Sequence, residues 1–177
     1  MVGVCGTGTL TIRTVRCSLS TGESAFLSAR RDLETVCLAR VEGTFPIRSH
    51  VLYEGLRLPL GVASAGLAIL GHLLDPDVDR ILTATADARD AWGHQHTAER
   101  IRQLLEDVRR NGSSTNPGMI VEGSWGMAAA VFDATGDPVY ALRITGIETR
   151  FSGDRRQALG RALLTESHRL SLALVGE

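Results

Sequence analysis

The chain has 177 residues, 44% of them hydrophobic and 22% charged, with a formal net charge of -1. That length holds one domain with a proper core, since domains commonly run to about 100 to 200 residues, and the balanced charge excludes the electrostatic footprint of a stand-alone nucleic-acid binder. All 19 basic residues are arginines, which excludes a phosphate loop or a Schiff base built on lysine.

Cys5, Cys17 and Cys37 are odd in number and lack Cys-x-x-Cys spacing, so neither a disulfide framework nor a zinc ribbon is indicated. A reducing, cytoplasmic setting is the expectation. No apolar run approaches the roughly 18 residues that cross a bilayer, and no export signal is evident, so no membrane contact is expected.

Residues 1–19 form a poorly defined lead, set apart from a domain over 20–177. Leu10-Thr-Ile-Arg-Thr-Val alternates weakly and fits a short strand or a disordered lead. Gly6-Thr-Gly-Thr is followed by no Gly-Lys-Ser/Thr, so it is weak evidence for phosphate binding. Ser24–Ala29 and Glu34–Glu42 read as two strands joined by Arg30-Arg31-Asp32-Leu33. The second is nearly continuous in apolar residues, which predicts cover on both faces, and Cys37 within it reads as a small buried hydrophobe. Phe45-Pro46-Ile47-Arg48 leads into a third short strand expected to end near Tyr53, with His50 in it.

Pro59 and Gly61 keep the next stretch extended. A helix follows Ser64-Ala65-Gly66, with Leu67, Leu70 and Leu74 at helical spacing. Its small first residues suit either close packing on a sheet or an anion at the free N–H groups. Asp75-Pro76 ends that helix and caps another, whose Val78, Ile81 and Leu82 face inward. Residues 87–96 read as a solvated polar loop; His94 and His96 lack a third ligand nearby, so no metal site is expected. Thr97–Arg110 is the clearest helix, with Thr97 as cap, Ile101, Leu104, Leu105 and Val108 as its stripe, and Gly112 as its stop. Asn116-Pro117-Gly118 reads as a turn and 119–122 as a short strand. Ser152–Val175 closes the chain as a helix with Leu159, Leu163, Leu170 and Leu174 on one side. The order predicts an α+β fold with a largely antiparallel sheet flanked by helices.

Trp125–Gly146 is the organising stretch. Two apolar runs flank Ala134-Thr-Gly-Asp137, a β-hairpin signature. If Asp133 faces Pro138, then Phe132 faces Val139, Ala130 faces Ala141, Ala128 faces Arg143 and Gly126 faces Thr145. Those residues share one face, and Met127, Ala129, Val131, Leu142 and Ile144 point to the other. Small residues around one arginine and one threonine leave missing volume with a cation at its edge. That suits a small anionic ligand; the other reading is a helix packed on the small residues with Arg143 reaching to water.

The sequence resembles the effector-binding domain of IclR-type transcriptional regulators over about Ser20–Gly176. The resemblance rests on Thr21-Gly22-Glu23-Ser24, Arg57-Leu58-Pro59-Leu60 followed by Ala63-Ser64-Ala65-Gly66-Leu67-Ala68-Ile69-Leu70, Arg110-Asn111-Gly112, Gly126-Met127-Ala128-Ala129-Ala130-Val131-Phe132-Asp133, and Ile144-Thr145-Gly146. It implies a GAF-like, profilin-like sensor domain that binds a small organic or aromatic acid, needs no cofactor, forms homodimers or homotetramers, and reaches DNA only through a winged helix-turn-helix domain with no counterpart in Met1–Leu19. The matching ligand positions are Leu58, Ser64, Ala65, Asn116, Gly126, Arg143 and Thr145. The chain departs from the family pattern at Asn116, where an acidic residue is usual, at Pro117-Gly118-Met119, at Leu67, where lysine is frequent, and at Arg143, which makes the pocket cationic.

No nucleophile, base and orienting group assemble from motifs, so the expectation is a non-enzyme that works by population shift. Rival readings are an enzyme using the same cavity with His50 or His168 as base, and an interaction module that pairs with full-length relatives. Apolar Leu67–Leu74 is a candidate oligomer surface, and Glu122 a candidate partner for an unliganded Arg143.

Overall fold

The computed structural model describes residues 7–47 and 51–176. Helix α1 spans Thr7–Thr21, strands β1 and β2 span Ser24–Arg31 and Glu34–Val41, and β3 is the short Arg57–Pro59. Helices α2 (Ser64–Leu70), α3 (Asp75–Ala84), α4 (Ala86–Asp90) and α5 (Ala98–Asn111) follow. Then come β4 (Ser113–Pro117), β5 (Ser124–Phe132), β6 (Pro138–Ile147) and the long α6 (Gly153–Val175). The strands form one six-stranded antiparallel sheet in the order β3-β2-β1-β6-β5-β4.

The hairpin alternation divides the layers. Ala128 and Ala141 face α2, α3 and α5, in a cluster with Ala65, Leu67, Ile81 and Ile101. Met127, Ala129, Leu142 and Ile144 face α1 and α6, in a cluster with Cys17, Leu159 and Leu163. The expected pairings Gly126 with Thr145, Ala128 with Arg143 and Ala130 with Ala141 are all present. A bulge at Val131/Phe132 sets Phe132 opposite Pro138 instead of Val139. Such a bulge places two residues of one strand against one of the other near the turn.

Several expectations are corrected. The lead contains a helix rather than a strand: Thr14, Cys17, Ser18 and Thr21 are buried at helical spacing. These described residues are small and mostly hydroxylated, a weak hydrophobic signal; Thr21 Oγ1 donates within the helix to the Cys17 carbonyl at 2.8 Å, and Ser18 Oγ donates across to the Glu42 carbonyl beyond β2 at 3.2 Å. Burial, with Glu166 nearby, pushes the Cys17 thiol up to about 12, so it packs as an inert group. Cys5 lies outside the described residues. Strand β2 is not covered on both faces; Thr35 and Cys37 are buried while Leu38 is 42% exposed. The described parts of 45–53 are irregular, His50 lies outside the described residues, and the third strand is β3.

Helix α2 ends at Leu70, before Leu74. Leu67–Leu70 are fully buried while His72 and Leu74 are exposed, Leu74 at 74%, so the apolar part of that run up to Gly71 is core rather than an oligomer surface. Leu74 is the cap residue of α3; Asp75 and Pro76 lie in its first turn, and Val78, Ile81 and Leu82 are buried as expected. Helix α5 follows the reading closely: Thr97 Oγ1 accepts from Arg100 N at 3.2 Å, and Gly112 stops the helix at φ 74°, where only glycine is unstrained.

Residues 87–90 belong to helix α4 rather than to a loop, and 91–96 are turns, exposed for the most part. Arg89 and His96 are almost fully buried. Arg89 donates from Nε to Thr85 Oγ1 at 3.1 Å, from Nη2 to the Leu82 carbonyl at 2.6 Å and from Nη1 to the His96 carbonyl, so its donors are met by neighbouring oxygens. Among the described residues no His/Cys/Asp/Glu cluster is arranged for a metal.

A second buried junction fastens the layers. Glu23, 2% exposed, receives Arg150 at 2.6 Å and Arg155 at 2.7 Å, and the Arg150 guanidinium lies 3.7 Å from the centroid of the Phe45 ring. Gly146 lets β6 approach this junction: a Cβ there would press on Glu23 Oε2 and lie 2.8 Å from Phe151 Cε2. Gly146→Ala should therefore lower the unfolding free energy by about 1–3 kcal/mol, the usual cost of overpacking; an unchanged urea midpoint would contradict this packing.

Burial, against weaker opposing hydrogen bonds, lowers the pKa of His96 from its ordinary value. A histidine kept neutral in the fold contributes full stability above its unfolded pKa of about 6.5 and loses it as pH falls toward the folded value. Urea unfolding at a series of pH values should show that loss below about pH 6.5, and His96→Asn should remove this component of it.

Candidate functional site

The hairpin face selected from the sequence lines a cavity. Its walls are Gly126 of β5, Arg143 and Thr145 of β6, Asn116 of β4, Ser64 at the start of α2, and Ala63 before it. Val51, Leu52, Ile120, Ser124 and Trp125 complete the lining. Its free volume is about 20 Å³, room for about one water molecule. The cavity is therefore too small, as it stands, for an organic acid.

Arg143 dominates it chemically. The side chain is 1% exposed, and its Nε and Nη1 have no hydrogen-bond partner. A carboxylate grips a guanidinium by two adjacent nitrogens, and each such pair includes Nε or Nη1. Opposite Arg143 on β1 is Phe26, whose ring centroid lies 5.4 Å from the guanidinium carbon, a cation–π contact. The Cys37 thiol also interacts with the guanidinium. Burial pushes Arg143 down to about 10, partly offset by Cys37, which still leaves a cation at neutral pH. Burial also raises the Cys37 thiol, although Arg143 opposes that shift. Thr145 Oγ1, two residues along the same face, is likewise buried without a partner. Arg89, equally buried but fully met by oxygens, shows how differently a structural arginine is treated.

Of the residues singled out from the sequence, Ser64, Asn116, Gly126, Arg143 and Thr145 come together at the cavity. Leu58 and Ala65 do not line it. Leu58 packs behind it with Phe26, Cys37 and Leu52, and Ala65 points into the cluster under α5. Asn116 is not a turn residue but the fourth residue of β4. Its Nδ2 donates to the Val62 carbonyl at 2.8 Å and its Oδ1 accepts from Met119 N at 3.1 Å, so its amide fixes the approach to α2 and the loop carrying Ile120. Ser114 Oγ adds a 2.7 Å bond to the Ser64 carbonyl. Glu122 is exposed and makes no pair with Arg143. Phe26 and Cys37 were missed because their closeness to Arg143 depends on β1 lying between β6 and β2. No spacing within the hairpin encodes that.

An antiparallel sheet with helices on both faces is the GAF-like α+β class of domain. The profile of the family described as bacterial transcriptional regulator IclR C-terminal matches residues 10–172, and the chain belongs to that family.

The HTH-type transcriptional repressor AllR of Escherichia coli strain K12 is 26% identical over 159 residues, covering 90% of this chain and 58% of the repressor. The chain thus spans little more than half the length of the curated relatives it matches. Among solved structures, the transcriptional regulator YaiJ superposes with a TM-score of 0.85 at 18% identity, over 97% of this chain and 96% of its own. The C-terminal domain of the E. coli regulator KdgR superposes with a TM-score of 0.77 at 23% identity, covering 92% and 94%. These relatives are named as transcriptional regulators, not as enzymes. No helix among the described residues is long and apolar enough to cross a membrane.

Asn116→Ala removes both bonds that hold the α2 approach and the 118–123 loop. It should cost about 1–3 kcal/mol, the penalty for leaving buried backbone groups unmet, and speed hydrogen exchange at Met119. An exchange pattern identical to the parent chain would show that the loop is held by other contacts.

Proposed function

We propose that this chain is the effector-sensing domain of an IclR-type transcriptional regulator, and that its effector is a small organic acid whose carboxylate sits on Arg143 and Thr145. The observation that carries the reading is the buried guanidinium with two unmet nitrogens beside an unmet hydroxyl. An isolated buried charge is costly, and an anion on those donors removes the cost. Gly126, Ala63 and the apolar Val51, Leu52 and Ile120 supply room and cover for the remainder of the acid.

Because the free space is only about 20 Å³, an acid fits only if the walls move apart. Val51, Leu52 and Ile120 lie on segments outside the helices and strands, where such a shift is least opposed. An acid that binds the widened form better than the narrow one shifts the population toward it. In the full-length regulator that shift would act through rearrangement of a homodimer or homotetramer and a winged-helix DNA-binding domain. The enzyme reading has less support: no described lining residue is a histidine or carboxylate, and His168 is exposed on α6, in the layer behind the sheet.

Arg143→Met keeps most of the side-chain volume and removes the charge. Calorimetry against a panel of small carboxylates should show a loss of about 2–5 kcal/mol in binding, the scale for truncating one partner of a buried charge pair, with stability unchanged or improved. Equal affinities for parent and variant would overturn the role given to Arg143.

A further inference from the structure

We infer that the open edge of the sheet at β4 is a docking groove for an extended acidic polypeptide segment, a site that shares only Trp125 with the cavity around Arg143. Among the described strands none pairs with the outer edge of β4. Helix α5 lies in one layer and α6 in the other, so the edge is recessed between two helices in an open groove of about 630 Å³. Ser113, Thr115 and Pro117 of β4 line it. Five strand residues span about 17 Å; Pro117 brings no N–H and the Asn116 carbonyl already accepts Gly118 N at 3.2 Å, so the groups on offer come from Ser113 to Thr115, enough for one short added strand. A row of unpaired backbone groups at a sheet edge is a template for such addition.

Two further features separate this edge from one that is merely guarded. Part of its floor is apolar, where Leu164 and the half-buried Trp125 lie over Met127 and beside Ser113 and Thr115. Its rim has one sign: Arg100 and Arg110 stand on the α5 side and Arg156 and Arg161 on the α6 side, against the single acid Asp107, which lies 3.3 Å from Arg110. Four exposed arginines around one groove are out of proportion to a chain of net charge -1. Edge charges that only prevent aggregation need no apolar floor.

The chemistry also selects the occupant. A second copy joined β4 to β4 would set one ring of four arginines against another, and like charges across an interface are strongly disfavoured. A nucleic acid would match the charge but leave the edge amides and carbonyls without a complementary backbone. An extended peptide with acidic side chains satisfies both. Its alternate side chains meet the floor and the arginines in turn, as the two-residue period of a strand requires.

The test is fluorescence anisotropy of the intact chain with a labelled short peptide alternating glutamate and valine. Comparators are the same peptide with lysine for glutamate, a version N-methylated at alternate residues, and oligothymidine. The expected result is saturable, salt-sensitive binding of the acidic peptide with quenching of tryptophan fluorescence. That binding should be weakened about tenfold or more by N-methylation and by Arg156→Glu with Arg161→Glu, the scale of reversing rim and contact charges. Both substitutions are at exposed positions on α6, and an unchanged thermal midpoint would show that the variant is folded; if it is not, the N-methylated peptide carries the comparison on the parent chain. Indifference to N-methylation, equal binding of the lysine peptide, preference for oligothymidine, or self-association abolished by the two substitutions would each overturn the inference.

Discussion

A cation enclosed by the sheet and its covering helix is the constraint from which the cavity follows. Arg143 sits in the central strand β6 with strands on both sides, and a guanidinium there excludes large neighbours on its face. The sequence complies with Gly126, Ala128, Ala130 and Ala141. The charge is eased by the Phe26 ring and the Cys37 thiol but is not neutralised by any carboxylate among the described residues. A core tolerates such a group when it is conditional on a ligand or strongly over-determined by surrounding packing. The apolar clusters on both faces of the hairpin supply that packing.

The same strand joins the two halves of the molecule. Thr145 faces the cavity, and the next residue, Gly146, lies against Glu23 on the other side of the sheet. Glu23 in turn holds Arg150 and Arg155, and Arg155 also donates to the Thr21 carbonyl at the end of α1 at 3.0 Å. Two consecutive residues of β6 therefore touch the cavity and the fastening of α1. Alternation along a strand makes this possible, since neighbours in sequence serve opposite layers.

The cavity residues show which parts of the site were legible. Gly126, Arg143 and Thr145 were found because a hairpin register is a local matter: turn chemistry and a period of two fix which residues share a face. Ser64 and Asn116 came through the family resemblance, and the structure gives Asn116 backbone bonds on both its amide atoms. Val51, Leu52 and Ile120 left no signal, because they belong to irregular segments whose side chains are placed by what they cover. The rim arginines of the β4 groove come from α5 and α6, elements more than forty residues apart in sequence. Only the closing of both layers around the sheet edge brings them together.

By itself the sequence determined the α+β layout, the hairpin and its facing residues up to the bulge, and α5 with its caps, because each is set by periods and turn residues within a few positions. Tertiary structure decided the rest. It made a helix of Thr7–Thr21, whose described buried residues, Thr14, Cys17, Ser18 and Thr21, are small and mostly hydroxylated; it buried His96 under Arg89; and it ended α2 at Leu70 although Leu74 continues the spacing. In each case long-range packing outweighed a weak local preference. It also decided that Arg143 turns inward without a partner, since a strand residue's face is local but its solvent exposure depends on what the chain lays over it.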